Sequence, residues 1–138
     1  MSEKASGAFD VKVTPQKPDT QIARAANFAR LTIDKRYHGE LEGAGKGEML
    51  AAQTEIKGSA AYVAVERVTG KLKGRSGSFA LQHSGTMSRG AQCASITVVP
   101  DSGTGELRGL AGTMTITIAP DGAHSYQFDF KIDPRPTE

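Results

Sequence analysis

Phe9, Val11 and Val13 alternate with Asp10 and Lys12, a period of two that sets apolar side chains on one face of a β-strand and charges on the other. A first strand is predicted over residues 8–14, with Pro15 and Pro18 stopping it because proline lacks the N–H that a ladder needs. Residues 20–26 read as either a helical turn or a loop. Leu31 and Ile33 then alternate with Arg30, Thr32 and Asp34 in a second strand over 28–37, and His38-Gly39 turns the chain into a third strand that reaches Ala52. Gly43, Gly45 and Gly47 would weaken that strand if it were flat. In a barrel they permit sharp coiling and leave room for other groups inside.

The same period predicts strands over 60–68 and 77–86, joined by a connection over 69–76 that carries two glycines. Ser88-Arg89-Gly90 turns into a strand over 94–99, and residues 106–112 form a longer connection with at most one helical turn. Met114, Ile116 and Ile118 alternate with threonines. After Pro120-Asp121-Gly122, the residues Tyr126, Phe128, Phe130 and Ile132 oppose Gln127, Asp129 and Lys131. The tail 134–138 is expected to be loose. Eight sequential strands imply an all-β domain, and a closed eight-stranded antiparallel barrel removes both exposed sheet edges, although a sandwich also fits the strand count.

Composition agrees with this pattern. A chain of 138 residues with 16 glycines, 38% apolar residues and no tryptophan suits one domain (1–138) of short strands and tight turns. The 17 basic and 15 acidic residues intermingle, so no nucleic-acid partner is expected, and Lys71-Leu72-Lys73-Gly74-Arg75 reads as a solvated loop. No apolar run approaches the ~20 residues of a membrane-spanning helix. Met1 to Phe9 lacks a charged start and an apolar run, and Cys93 stands alone, so a cytoplasmic protein is expected.

Few motifs carry chemistry. Gly103-Thr104-Gly105 with Gly109 has the wrong spacing for a dinucleotide fingerprint and precedes a strand. Gly45-Lys46 fails as a phosphate loop, with Glu40 where glycine is required and Gly47 where Ser or Thr should hold magnesium. His38, His83 and His124 lack the short spacings of metal motifs, so neither metal nor any other cofactor is expected. Cys93 shares its phase with Ser95 and Thr97 and reads as a small filler.

Polar residues in the apolar phase say more. His83 is in register with Phe79 and Leu81, Glu66 with Tyr62, Ala64 and Val68, and His124 with Tyr126 and Phe128, so all three are expected to point inward. Glu48, in phase with Leu50, is a further candidate. An inward carboxylate needs a partner, and Glu66 with His83 on the neighbouring strand supplies one; the pair is either a structural device or part of a ligand site. Val63 and Val65, in the opposite phase, would then form an outward apolar patch, which suggests a homo-oligomer.

Several stretches, Gly39-Glu40-Leu41-Glu42, Val65-Glu66-Arg67-Val68-Thr69-Gly70, Gly74-Arg75-Ser76-Gly77-Ser78-Phe79, Leu81-Gln82-His83-Ser84-Gly85-Thr86 and Pro100-Asp101-Ser102-Gly103-Thr104-Gly105-Glu106-Leu107, resemble the bacterial family called domain of unknown function 3224. The resemblance spans nearly the whole chain. That family is grouped with the plant allene oxide cyclases, which implies a small closed barrel. Allene oxide cyclase holds a reactive fatty-acid epoxide and steers its closure without a cofactor. No stretch here matches its catalytic pattern, so no catalytic residue is carried over.

The first expectation for function is therefore a barrel binding one small, largely apolar molecule, with Glu48, Tyr62, Glu66, His83, His124 and Tyr126 as candidate ligand-facing residues. A second is a cofactor-free isomerase or cyclase, with Glu66 as acid or base, His83 orienting it or sharing its proton, and Tyr62 or Tyr126 donating to developing charge. A third is a structural module whose barrel is filled.

Overall fold

The computed structural model describes residues 2–133, so the expectation of a loose tail over 134–138 lies outside the described residues. Eight strands, β1 (Glu3–Gln16), β2 (Ala29–Tyr37), β3 (Leu41–Gln53), β4 (Ala60–Leu72), β5 (Arg75–Ser88), β6 (Ala91–Val98), β7 (Leu110–Ile118) and β8 (His124–Ile132), pair in chain order, and β8 returns to β1. Every pairing is antiparallel and the barrel is closed. Closure leaves no sheet flank unpaired along its full length, which is how so short an all-β chain avoids edge-to-edge association.

The strands outrun their predicted ends. β4 and β5 continue to Leu72 and Arg75, so the connection expected over 69–76 is only the two-residue turn Lys73-Gly74. Both residues have positive φ, as do Arg89 and Gly90 between β5 and β6. These are the backbone values of tight turns whose twist matches that of the flanking strands. β1 runs through Pro15, contrary to the expected stop: beyond Phe9 it is flanked by β2 alone, so the missing proline N–H has no second ladder to serve. Between β1 and β2 lies a short helix, α1 (Gln21–Ala26), where Thr20 accepts the Ala23 N–H at 3.0 Å and Asn27 ends it in the left-handed region.

The two ends of the barrel differ. One is packed solid: Leu72, Phe79, Phe128, Phe130 and Leu110 meet in the core, and Leu107, on a 3-10 turn of the β6–β7 connection, plugs it with no exposed surface. Tyr126 belongs to this packing. Its hydroxyl accepts the Leu41 N–H at 2.8 Å and donates to the His38 carbonyl at 2.7 Å, tying β8 to the β2–β3 turn. The other end, at the rim bearing α1 and the turns 54–59, 89–90 and 119–123, carries small inward residues: Ala51, Ala60, Gly85 and Ala94.

Candidate functional site

Inward phase on β2 continues from Leu31 and Ile33 to Lys35 and Tyr37, and on β4 it includes Glu66. The three side chains meet with His83 of β5 inside the barrel. Glu66 is fully buried, and each of its carboxylate oxygens is occupied: Oε1 accepts from Lys35 Nζ at 3.1 Å and pairs with His83 Nε2 at 2.9 Å, while Oε2 accepts from the Tyr37 hydroxyl at 2.5 Å. Facing an ionised carboxylate, which can only accept, His83 Nε2 must carry the proton. Lys35 also sits over the Phe9 and Tyr37 rings, 5.0 and 5.6 Å from their centroids, so its cation has aromatic as well as ionic partners.

Space for this cluster comes from the glycines of β3. A Cβ on Gly45 would land on Glu66 Oε2 and 3.1 Å from the Tyr37 ring. His83 and Glu66 are diagonal neighbours, since His83 pairs with Ala64 and Glu66 with Leu81, yet the long side chains close the gap. Burial by itself would raise the Glu66 pKa, but the His83 hydrogen bond, the Lys35 ammonium and the Tyr37 hydrogen bond together hold it below the ordinary carboxylate value. Tyr37 is pushed strongly upward by burial, and by the charge and hydrogen bond of Glu66. The carboxylate is thus anionic and the phenol neutral across the physiological range.

Above this cluster the barrel opens into two cavities. Two residues along β4 from Ala64, a step of about 7 Å, stands Tyr62, whose ring lies across Gly85, where a Cβ would come within 2.5 Å of it. On one side of Tyr62 is a solvent-open cavity of about 350 Å³ with Met49, Ala51, Ala60 and Met87 among its walls. On the other is a cavity of about 800 Å³ against β6 and β7, bounded by Ala94, Ile96, Met114, Ile116 and Ile118. Burial raises the Tyr62 pKa, and its hydroxyl has no hydrogen-bond partner among the described residues.

Of the six expected ligand-facing residues, the structure brings Glu66 and His83 together and places Tyr62 in the cavity wall. Glu48 is a correction: it faces outward and pairs with Arg30 at 3.0 Å, because the inward phase of β3 runs through Gly45, Gly47 and Met49, leaving Leu50 half exposed outside. Tyr126 is also a correction, since its hydroxyl is consumed by backbone at the packed end. His124 packs against Phe9 with the rings tilted and their centroids 5.1 Å apart, and it lines neither cavity. Cys93 has the expected outward phase but is exposed, not a packed filler. Residues 71–75 end two strands and their turn, with Arg75 beside Glu3 at 3.3 Å, and are not a loop. The three histidines do not converge, for His38 lies on the surface 3.0 Å from Asp10. Lys35 and Tyr37 were missed; the signal for both was the unbroken alternation from Leu31.

A family model described as "Protein of unknown function (DUF3224)" matches residues 5–130. A crystal structure of a protein of unknown function from the DUF3224 family of Shewanella oneidensis MR-1 is 48% identical, with a TM-score of 0.88 over 97% of this chain and 100% of that one. Comparison with curated proteins gives no match. With the family model covering most of the barrel and a family member superposing along nearly its whole length, the chain belongs to the DUF3224 family.

Proposed function

We propose that this protein binds one small, largely apolar molecule in the open half of its barrel. The observation that carries the reading is the asymmetry of the interior: bulky aromatic and aliphatic side chains fill one half, whereas Ala51, Ala60, Gly85 and Ala94 leave the other hollow. Cavities of this size, walled by apolar groups with a few polar ones, suit a small ligand. Tyr62 offers a free hydroxyl at the wall, and the Lys35–Glu66–His83–Tyr37 cluster forms a rigid floor below it. A filled structural barrel would have large side chains meeting in both halves.

The geometry favours binding over catalysis by Glu66. That carboxylate has no accessible surface, and three donors hold it anionic, so it is a poor proton donor and out of reach as a base. Titration with the apolar dye N-phenyl-1-naphthylamine tests the reading. Saturable fluorescence enhancement at one site per chain is expected, and Ala51→Trp, which fills the β3 wall, should weaken it at least tenfold with the circular dichroism spectrum retained. Absence of saturable uptake, or equal affinity in the variant, would refute it.

A further inference from the structure

The barrel is not sealed evenly around its circumference. β6 and β7 pair only at Ile96–Met114 and Thr97–Thr113, whereas β4 and β5 pair without interruption from Ala60–Met87 to Leu72–Arg75. Continuing the β6–β7 register toward the rim would bring Ala94 opposite Ile116 and Gln92 opposite Ile118, but those pairs do not form. The larger cavity occupies this unzipped seam, and Tyr62, Gln92 and Ala94 border both it and the smaller cavity.

From these observations, and resting on the binding role proposed above, we infer that the ligand is an elongated, uncharged apolar molecule that lies across the barrel, from the β3 wall past Tyr62 and out through the β6–β7 seam. Three features support this shape. Most of the inward residues along the path, Met49, Ala51, Ala94, Ile116 and Ile118 among them, are apolar, and Ile118 stands 64% exposed at the mouth. An eight-stranded barrel with strands about 4.8 Å apart and tilted is some 15 Å across between backbones, leaving a path of roughly 10 Å from wall to seam. A compact molecule would occupy one chamber; an extended one fills both. The polar side chains bounding the two cavities, Gln53, Tyr62, Thr86, Gln92, Cys93 and Thr115, include no charged group.

Decan-1-ol and 1-adamantanol test the inference directly: each has ten carbons and one hydroxyl, but one is extended and the other compact, and because the extended chain also exposes more apolar surface, the decisive reading is whether its preference depends on the seam. Calorimetric titration of the full chain should show decan-1-ol binding at least tenfold more tightly. Ala94→Trp, which obstructs the seam, should erase that preference. Ile118→Asp, at a position exposed enough to leave folding alone, should do the same by placing a charge at the mouth. Equal affinities for the two alcohols, or a preference that survives both substitutions, would overturn the inference. Uptake of N-phenyl-1-naphthylamine distinguishes the two levels: if the dye binds without any length preference, the proposed function stands and this inference falls, whereas if the dye does not bind, both fall.

Discussion

Glu66→Gln isolates the buried charge cluster with almost no change of volume. In the native barrel Lys35 and Glu66 have side chains 5% and 0% exposed, so the substitution leaves an ammonium in the interior with no anion to balance it. Removing one partner of a buried ion pair costs about 3–5 kcal/mol. Glutamine still offers a carbonyl oxygen to Lys35 or His83, which places the expected loss near the lower end, about 3 kcal/mol. For a domain of ordinary stability this leaves a folded protein whose urea midpoint falls by about 1–3 M. Lys35→Met should also destabilise, whereas the double variant, with both charges gone, should recover about 2–3 kcal/mol relative to the sum of the two singles. Urea unfolding followed by circular dichroism measures all four corners of this cycle. A loss under about 1 kcal/mol for Glu66→Gln, or additive single effects, would refute the account of a mutually dependent pair. Since Glu66 has no accessible surface, dye affinity in the folded variant should remain within twofold of the wild type. The depressed Glu66 pKa fixes the sign of the pH dependence. Its contribution is fully present above the unfolded carboxylate value of about 4.3 and is lost as pH falls through the lower folded value, so Glu66→Gln should show a shallower acid limb.

Two further outcomes are expected. The Tyr37 pKa is raised in the folded state, so its contribution is present below the unfolded value of about 10 and is lost as pH rises beyond it; Tyr37→Phe should flatten the alkaline limb and cost about 1.5–3 kcal/mol at neutral pH, and an unchanged limb would show that the phenol titrates freely. Val63 and Val65 are 56% and 58% exposed on the outer face beside half-exposed Leu50, and we expect this patch to associate with a second copy of the chain. Sedimentation should give a dimer at micromolar concentration that Val63→Lys converts to monomer, and a wild-type monomer would remove the idea.

Alternation alone determined much of this protein. The period of two in β1, β7 and β8 is enough to count strands and choose the face of Phe9, Met114 and Phe128, because a sheet with one buried side forces every second residue inward. It also placed Glu66 and His83 inside, and the absence of helical periodicity left a closed barrel as the solution that hides its edges. Where the apolar signal thins, as in the glycines of β3, the phase could not be read, and Glu48 was put on the wrong face. What a polar inward residue does depends on register across strands. Sequence cannot fix that when each connection length is uncertain by several residues. Closure brought Lys35 and Tyr37 of β2 across to Glu66 of β4, took the Tyr126 hydroxyl for backbone at the packed end, and left β6 and β7 zipped over only two residue pairs. Local sequence sets which way a side chain points, but the partners it meets and the space left between them come from how the eight strands are staggered as the sheet closes on itself.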